Sequence, residues 1–164
     1  MRALKARIKR VRPDIVFLSE TKAGVDRMDS VIRSIGFSEK AVVEAKGTAG
    51  GLCMMWKSGC PIKVIDLNKN KITIKVFDSM CDWMLVVFYG PSYESKNKRV
   101  WEDLSALLES FHDPWVCFRD FNYIICENEK FGGARGSSSA INHLKELMFD
   151  YGAIDLGFSG SKFT

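Results

Sequence analysis

Short apolar runs alternate with helical patterns along the chain, which predicts a mixed α/β protein. Four runs are too short for a typical helix and predict buried strands: Ile15–Leu18, Leu52–Trp56, Trp83–Tyr89 and Val116–Phe118. Apolar residues recur at spacings of three and four in the stretches that are predicted to be helices: residues 2–11, Asp26–Ile35, Lys98–Phe111 and Ala140–Tyr151.

Hairpin signals between these segments exclude a purely parallel sheet. A weaker strand, Phe37–Ala45, leads through the Gly50-Gly51 turn into the second apolar run. Two further strands, Pro61–Leu67 and Lys71–Phe77, flank Asn68-Lys69-Asn70. Ile72, Ile74 and Val76 alternate with Thr73 and Lys75, which predicts that one face of this strand contacts water.

Three of the predicted strands end on polar side chains. They end at Glu20, at Tyr89, and at Asp120 with Asn122. Residues two apart in a strand point to the same side, so Asp120 and Asn122 are expected to face one side together. Asp and Asn are also common in turns, so an ordinary strand end followed by a turn is the alternative.

Together these strand ends would suit phosphodiester hydrolysis. Carboxylate and amide oxygens are hard ligands for Mg²⁺, which usually takes one or two protein carboxylates together with water and substrate phosphate. A carboxylate that is not on the metal can activate a water molecule, and a tyrosine hydroxyl can bind a phosphate oxygen. Taken one at a time, each residue also has a purely structural explanation.

Length and composition are typical of one globular domain. The chain has 164 residues, of which 46% are hydrophobic, and no apolar run approaches membrane-spanning length. The basic N-terminus lacks the apolar centre of a signal peptide, so the cytosol or nucleus is expected. The five cysteines contain no C-x-x-C pair and are expected to be reduced and structural.

Charge is concentrated at the start of the chain. Residues 1–12 carry six basic side chains and no acid. Because the net charge of the whole chain is +4, the remaining residues carry a net charge of −2. A basic helix of this kind can contact phosphates, although a solvated helix face is the more frequent meaning of such a run. The body of the protein is not a basic nucleic-acid-binding surface.

Six segments occur in the order found in a known superfamily: residues 13–22 (PDIVFLSETK), 50–52 (GGL), 88–91 (FYGP), 120–122 (DFN), 129–133 (EKFGG) and 155–160 (DLGFSG). On these motifs the chain resembles the endonuclease/exonuclease/phosphatase superfamily, which has the deoxyribonuclease-I-like fold. It is most similar to the endonuclease domains of plant LINE-type, non-LTR retrotransposon proteins. The resemblance covers essentially all 164 residues.

The resemblance implies a four-layer α/β/β/α sandwich and cleavage of DNA with Mg²⁺, or Mn²⁺ in its place. By analogy Glu20 would bind the metal, Asp120 would activate or orient the attacking water, and Asn122 would hold that water or the phosphate. Tyr89 would contact the scissile phosphate. DNA would be the substrate, the location would be intracellular and nuclear, and neither a membrane nor an obligate protein partner is implied.

Three departures from the family pattern accompany the resemblance. Family members begin with a strand that carries a metal-site Asn and end with an Asp and a catalytic His. This chain begins and stops inside those limits, so residues 1–164 are expected to be one partial domain, truncated at both termini. His112 and His143 do not replace the missing histidine. Arg119 stands where Gly is usual, and would either crowd the cleft or add a phosphate contact.

Three functional hypotheses therefore stay open. The chain is an active Mg²⁺-dependent endonuclease domain, a catalytically inactive remnant of one, or an inositol- or lipid-phosphate phosphatase of the same superfamily. Whether the chain is an enzyme is left open, because a lost metal ligand and a lost phosphate-binding histidine typically reduce the rate by orders of magnitude.

Overall fold

The predicted strands and helices form in the order expected. The computed structural model describes residues 2–45, 47, 50–89, 97–120 and 145–157, without the side chains of residues 97–101, 119 and 120. The elements are α1 (Arg2–Val11), β1 (Ile15–Ser19), α2 (Val25–Ser34), β2 (Glu39–Val43), β3 (Leu52–Trp56), β4 (Ile62–Asn68), β5 (Lys71–Val76), β6 (Trp83–Tyr89), α3 (Asn97–Glu109) and β7 (Trp115–Asp120). Residues 145–150 are also helical.

Sheet 1 has the strand order β1-β3-β2, with both pairs antiparallel. The central strand β3 is buried along its whole length, as its uninterrupted apolar run predicts. The edge strand β1 is partly buried, with residues on both of its faces packed against buried clusters. The predicted hairpin around Gly50-Gly51 is confirmed, because β2 pairs directly with β3.

Sheet 2 has the order β4-β5-β6-β7. The first three strands are antiparallel neighbours, and Ile74 of β5 lies opposite Leu85 of β6. The Met84 N–H donates a 2.8 Å hydrogen bond to the Pro114 carbonyl, so that β6 and β7 begin side by side. A register shift between Val64 and Asp66 interrupts the pairing of the edge strand β4.

The two sheets pack face to face around one apolar core. The side chains that fill it come from both sheets: Ala41, Leu52, Met54 and Trp56 from sheet 1, and Ile72, Ile74, Val76, Leu85 and Val87 from sheet 2. The other face of sheet 1 carries a second cluster that includes Met28 and Ile32 of α2 and partly buried Ile8 of α1. These contacts establish three successive layers, α/β/β, of the predicted sandwich.

The described residues divide into two compact units. The first comprises Met1–Tyr89 with His112–Arg119, and contains both sheets with α1 and α2. The second comprises Gly90–Phe111 with Asp120–Thr164. Within the second unit, the Tyr151 hydroxyl shares its hydrogen between the Ser105 carbonyl and the Glu109 carboxylate, each 3.1 Å away. That residues 1–164 form a single domain stays a prediction.

The expectation of a solvent-exposed face on β5 is wrong. Thr73 is fully buried, and Lys71 is buried with its ammonium 2.7 Å from the Asp66 carboxylate. Lys75 bridges the Asp113 and Asp82 carboxylates at 2.8 and 3.1 Å. Apolar Phe88, Val86 and Met84 lie opposite these three residues on the same face. Strict alternation identified the two faces but did not reveal that the polar one is covered.

Replacing Thr73 with valine is expected to stabilise the protein by about 1 kcal/mol. The Thr73 hydroxyl is buried and has no hydrogen-bond partner among the described residues, whereas a valine methyl fills the same space without an unpaired polar group. Urea unfolding would measure the difference. Thr73→Ser, which keeps the hydroxyl and loses the methyl, is expected to be less stable than the parent. A valine variant below the parent would contradict the assignment of an unpaired hydroxyl.

Four of the five cysteines are described, and each is a free thiol: Cys53, Cys60, Cys81 and Cys117. Burial raises the pKa of Cys53 to about 11, so this side chain stays a protonated, apolar part of the core. In the described ranges, no helix is both long enough and apolar enough to cross a membrane.

Candidate active site at the ends of β1 and β6

Two of the predicted site residues meet at one rim of the sandwich. Glu20 follows the last residue of β1 in sheet 1, and Tyr89 is the last residue of β6 in sheet 2. The Tyr89 hydroxyl donates a hydrogen bond to Glu20 Oε1. Because the sheets pack face to face, two side chains 69 positions apart in the sequence come into direct contact.

The β4–β5 hairpin holds the backbone of Tyr89. The Tyr89 N–H donates a 2.7 Å hydrogen bond to the carbonyl of Asn70, in the turn between those strands. The turn is itself closed by a 2.9 Å bond from the Asn70 N–H to the Asn68 side-chain oxygen. The backbone position of Tyr89 is therefore set by a turn that the sequence identifies through its two asparagines.

Glu20 has an unusual backbone conformation. Its φ of 52° lies in the left-handed region, as does that of Lys22 at 49°. For a residue with a Cβ this conformation costs about 1–2 kcal/mol, and it persists where surrounding contacts enforce it. The segment that follows β1 is therefore held in place by the rest of the first unit.

The Gly50-Gly51 pair provides two of those contacts. The Thr21 and Lys22 N–H groups donate to the carbonyls of Gly51 and Gly50, at 3.2 and 3.0 Å. Gly51 has φ of 90°, and a Cβ at this position would overlap the Thr21 hydroxyl oxygen. Glycine is thus required at position 51 both by its backbone conformation and by the close approach of Thr21.

The far end of the same segment is tied to residues that follow β2. The Ala45 N–H donates to the Ala23 carbonyl at 3.4 Å. Glu44 Oε1 accepts a 3.1 Å bond from the Val25 N–H at the first turn of α2, where Gly24 offers no side-chain cap. A carboxylate is well placed there, because it satisfies an otherwise unpaired helix N–H and favours the helix dipole.

The Glu20 carboxylate lies between a hydroxyl and an ammonium group. One oxygen accepts the Tyr89 hydroxyl, and the other is 3.8 Å from Lys22 Nζ. The side chains of Glu20 and Lys22 are 39% and 60% exposed, so their ion pair contributes at most about 1 kcal/mol. The carboxylate stays accessible to solvent, and a stronger cation can compete for it.

Glu20 offers carboxylate oxygens, which are hard donors of the kind that bind magnesium. Within the described ranges, no three His, Cys, Asp or Glu side chains are grouped so that they could hold a metal ion. Mg²⁺ commonly binds through one or two carboxylates and keeps several waters. The carboxylate oxygens of Glu20 are hard donors of the kind that Mg²⁺ prefers, and its role as a metal ligand stays a prediction.

The remaining predicted site residues lie wholly or partly outside the description. Asp120 is the last residue of β7, the strand next to β6 in sheet 2, but its side chain and that of Arg119 are not described. Asn122 lies outside the described residues. That Asp120 and Asn122 face one side together stays a prediction.

No pattern in the sequence marks Thr21, Lys22 or Gly51 as part of the site. The Gly-Gly pair predicts a hairpin turn, which the structure confirms, and it also supports the segment that carries Glu20. The two consecutive glycines are the sequence feature that could have indicated a close approach of another segment. Their partner, however, lies some 30 residues earlier, and local patterns do not report contacts over that separation.

Solved structures share this arrangement of strands and helices. An AP endonuclease from Archaeoglobus fulgidus superposes with a TM-score of 0.65 at 16% identity, over 90% of this chain and 64% of that one. The chain has the deoxyribonuclease-I-like fold. The predicted α/β sandwich and the resemblance that implied it are thus confirmed at the level of the fold.

Two further deoxyribonuclease-I-like structures match to a similar extent. The AP endonuclease LMAP from Leishmania major has a TM-score of 0.63 at 16% identity, over 91% of this chain and 60% of its own. The endonuclease domain of TRAS1, a telomere-specific non-LTR retrotransposon, has a TM-score of 0.63 at 11% identity, over 92% of this chain and 64% of its own. This chain therefore spans about three fifths of each. No protein-family model and no curated protein sequence matches it.

Proposed function

We propose that the chain is a Mg²⁺-dependent endonuclease domain of LINE-type retrotransposon origin that nicks DNA inside the cell, in the nucleus. The observation that carries the proposal is the hydrogen bond from Tyr89 to Glu20, which joins the ends of two strands from different sheets. It places an accessible carboxylate and a phenol at one rim of a deoxyribonuclease-I-like sandwich.

Each residue at the rim has a proposed task. Glu20 would hold the metal. The Tyr89 hydroxyl orients that carboxylate in the free protein and would donate the same hydrogen to the scissile phosphate when substrate binds. When bound, Mg²⁺ would act as a Lewis acid that offsets negative charge on the phosphate. Asp120 activates the attacking water, Asn122 positions it, and Arg119 contacts phosphate. Lys22, whose ammonium is 3.8 Å from the Glu20 carboxylate, would give up this ion pair to a metal held by Glu20 and would then be available to the substrate phosphate.

The named structural neighbours favour DNA as the substrate. Two of them are AP endonucleases, and a third is the endonuclease domain of a non-LTR retrotransposon. These likenesses support a nuclease more than a phosphatase acting on inositol or lipid phosphates. A reverse-transcriptase reading frame downstream in the genome would support the retrotransposon lineage.

Nicking of supercoiled plasmid in the presence of Mg²⁺ tests the proposal. The parent is expected to convert supercoiled to open-circular DNA. The Glu20→Gln and Asp120→Asn variants are each expected to do so at least about 100-fold more slowly, because these groups are proposed to bind or orient the metal and the water. Glu39→Gln is the matched control, because Glu39 is an exposed glutamate on β2 of the same sheet. It is expected to keep the parental rate.

Two results would contradict the proposal. A folded parent chain that nicks no faster than buffer would identify a catalytically inactive remnant. Release of phosphate from inositol phosphates without any cleavage of DNA would identify a phosphatase instead.

A further inference from the structure

Helix α1 carries a concentration of positive charge on an exposed surface. It contains Arg2, Lys5, Arg7, Lys9 and Arg10 and no acidic residue. None of its residues is buried, and Leu4 and Ile8 are half-buried. Ile8 packs against the apolar cluster beneath α2, so the helix is attached by a narrow apolar stripe and leaves its basic side chains in solvent.

Most of these cations have no acidic partner in the part of the chain that the structure describes. Arg2, Lys5, Lys9 and Arg10 form no ion pair with any residue that the structure describes. Asp14 follows the helix in the sequence, but its carboxylate is bound by Lys57 at 2.8 Å. Several lysines elsewhere in the first unit are paired, as Lys40 is with Asp29 and Lys71 with Asp66. What distinguishes α1 is that its cations are concentrated on one ten-residue helix that contains no acidic residue.

Three of the cations form a row along the helix. Arg2, Lys5 and Lys9 have the spacing i, i+3, i+7, which places them on one face. The row extends over about 10 Å at 1.5 Å per residue, the length that about three successive phosphates occupy along one strand of a DNA duplex. Its length and charge thus complement a short stretch of nucleic-acid backbone.

We infer that this row is a binding surface for the phosphate backbone of double-stranded DNA, separate from the Glu20–Tyr89 rim. The choice of DNA among polyanions rests on the proposed function. An anionic membrane fits the helix less well, because a membrane-surface helix inserts an apolar face, whereas Ile8 of α1 packs against the protein and Leu4 is half-buried. The row adds affinity without reading sequence, since phosphate contacts position a protein and do not specify bases.

The test measures how salt weakens binding to DNA. A fluorescent duplex is titrated with protein in EDTA, where metal-dependent cleavage does not occur, at several KCl concentrations. A variant with Arg2→Gln, Lys5→Gln and Lys9→Gln is expected to reduce the slope of log K against log[KCl] by about 2.7, at about 0.9 per lost phosphate contact. Glutamine keeps the helix propensity of the positions it replaces.

The matched control removes three cations elsewhere in the first unit. Arg27, Arg33 and Lys63 are exposed and also lack ion pairs among the described residues. Their replacement by glutamine lowers net charge equally and is expected to leave the slope nearly unchanged. An equal fall in both triple variants would overturn the inference, because net charge alone would then explain the binding.

Two further outcomes keep the inference separate from the proposed function. The inference would be overturned in favour of a membrane if the parent binds phosphatidylserine vesicles, the α1 variant does not, and both have the same salt slope for DNA binding. If the α1 variant has the smaller salt slope and the parent does not nick plasmid, DNA binding by α1 is supported and the proposed nuclease activity is refuted. If the triple variant does not fold by circular dichroism, Lys5→Gln alone is expected to lower the slope by about 0.9.

Discussion

Replacing Tyr89 with phenylalanine is expected to slow DNA nicking about 10- to 100-fold with little loss of stability. The change removes the hydroxyl that bonds Glu20 and leaves the ring packed at the edge of the core. A hydrogen bond to a charged group contributes about 1.5–3 kcal/mol, and each 1.36 kcal/mol on the activation barrier is tenfold in rate. Because Glu20 is partly exposed, water replaces the lost bond in the resting protein.

Nicking rates and urea midpoints of the same preparations measure both effects. Tyr151→Phe is the matched control, since that hydroxyl bonds Ser105 and Glu109 within the second unit. It is expected to lower the midpoint and to keep the rate constant of nicking. Parental nicking by Tyr89→Phe would exclude the Tyr89 hydroxyl from the reaction.

Replacing Gly51 with alanine is expected to destabilise the protein by about 2–5 kcal/mol and to reduce nicking. A φ of 90° disfavours any residue with a Cβ, by about 1–2 kcal/mol. The new methyl would also overlap Thr21 Oγ1 and lie 3.3 Å from Ala45, and overpacking of this kind typically costs about 1–3 kcal/mol. Thr21 directly follows Glu20, so relief of the overlap displaces the carboxylate.

Gly59 offers a close control for this prediction. Its φ is 89°, and a Cβ there would meet no atom of the described chain within 4 Å. Gly59→Ala therefore introduces the same backbone strain without the overlap, and is expected to cost about 1–2 kcal/mol with nicking unchanged. Adding Thr21→Ala to Gly51→Ala is expected to restore part of the lost stability. Equal effects of the two glycine substitutions would show that Gly51 has no specific role in supporting Glu20.

Local patterns were sufficient to predict the elements that carry the rim. The uninterrupted run of β3 and the alternation in β5 fixed their strands and faces, since side-chain periodicity is a property of a few neighbouring residues. Glu20 and Tyr89 were each recognised as polar ends of apolar strands by the same local logic.

The remaining features depend on contacts between distant segments. The left-handed backbone at Glu20 and Lys22 has no signal in its own residue types, because it is imposed by Gly50 and Gly51. The burial of Thr73 likewise depends on what covers sheet 2, which the alternation of β5 does not encode. Asp120 and Asn122 were found by pattern and by resemblance, and their joint role stays a prediction.

The central claim is that Glu20 and Tyr89 act as one unit, and a double-mutant cycle on nicking tests it most directly. The rates of the parent, Glu20→Gln, Tyr89→Phe and the double variant are compared on one plasmid with Mg²⁺. Residues that act together are strongly non-additive, so the double variant is expected to be about as slow as the slower single variant. A double variant slowed by the product of the two single effects, or single variants that nick at the parental rate, would contradict the account.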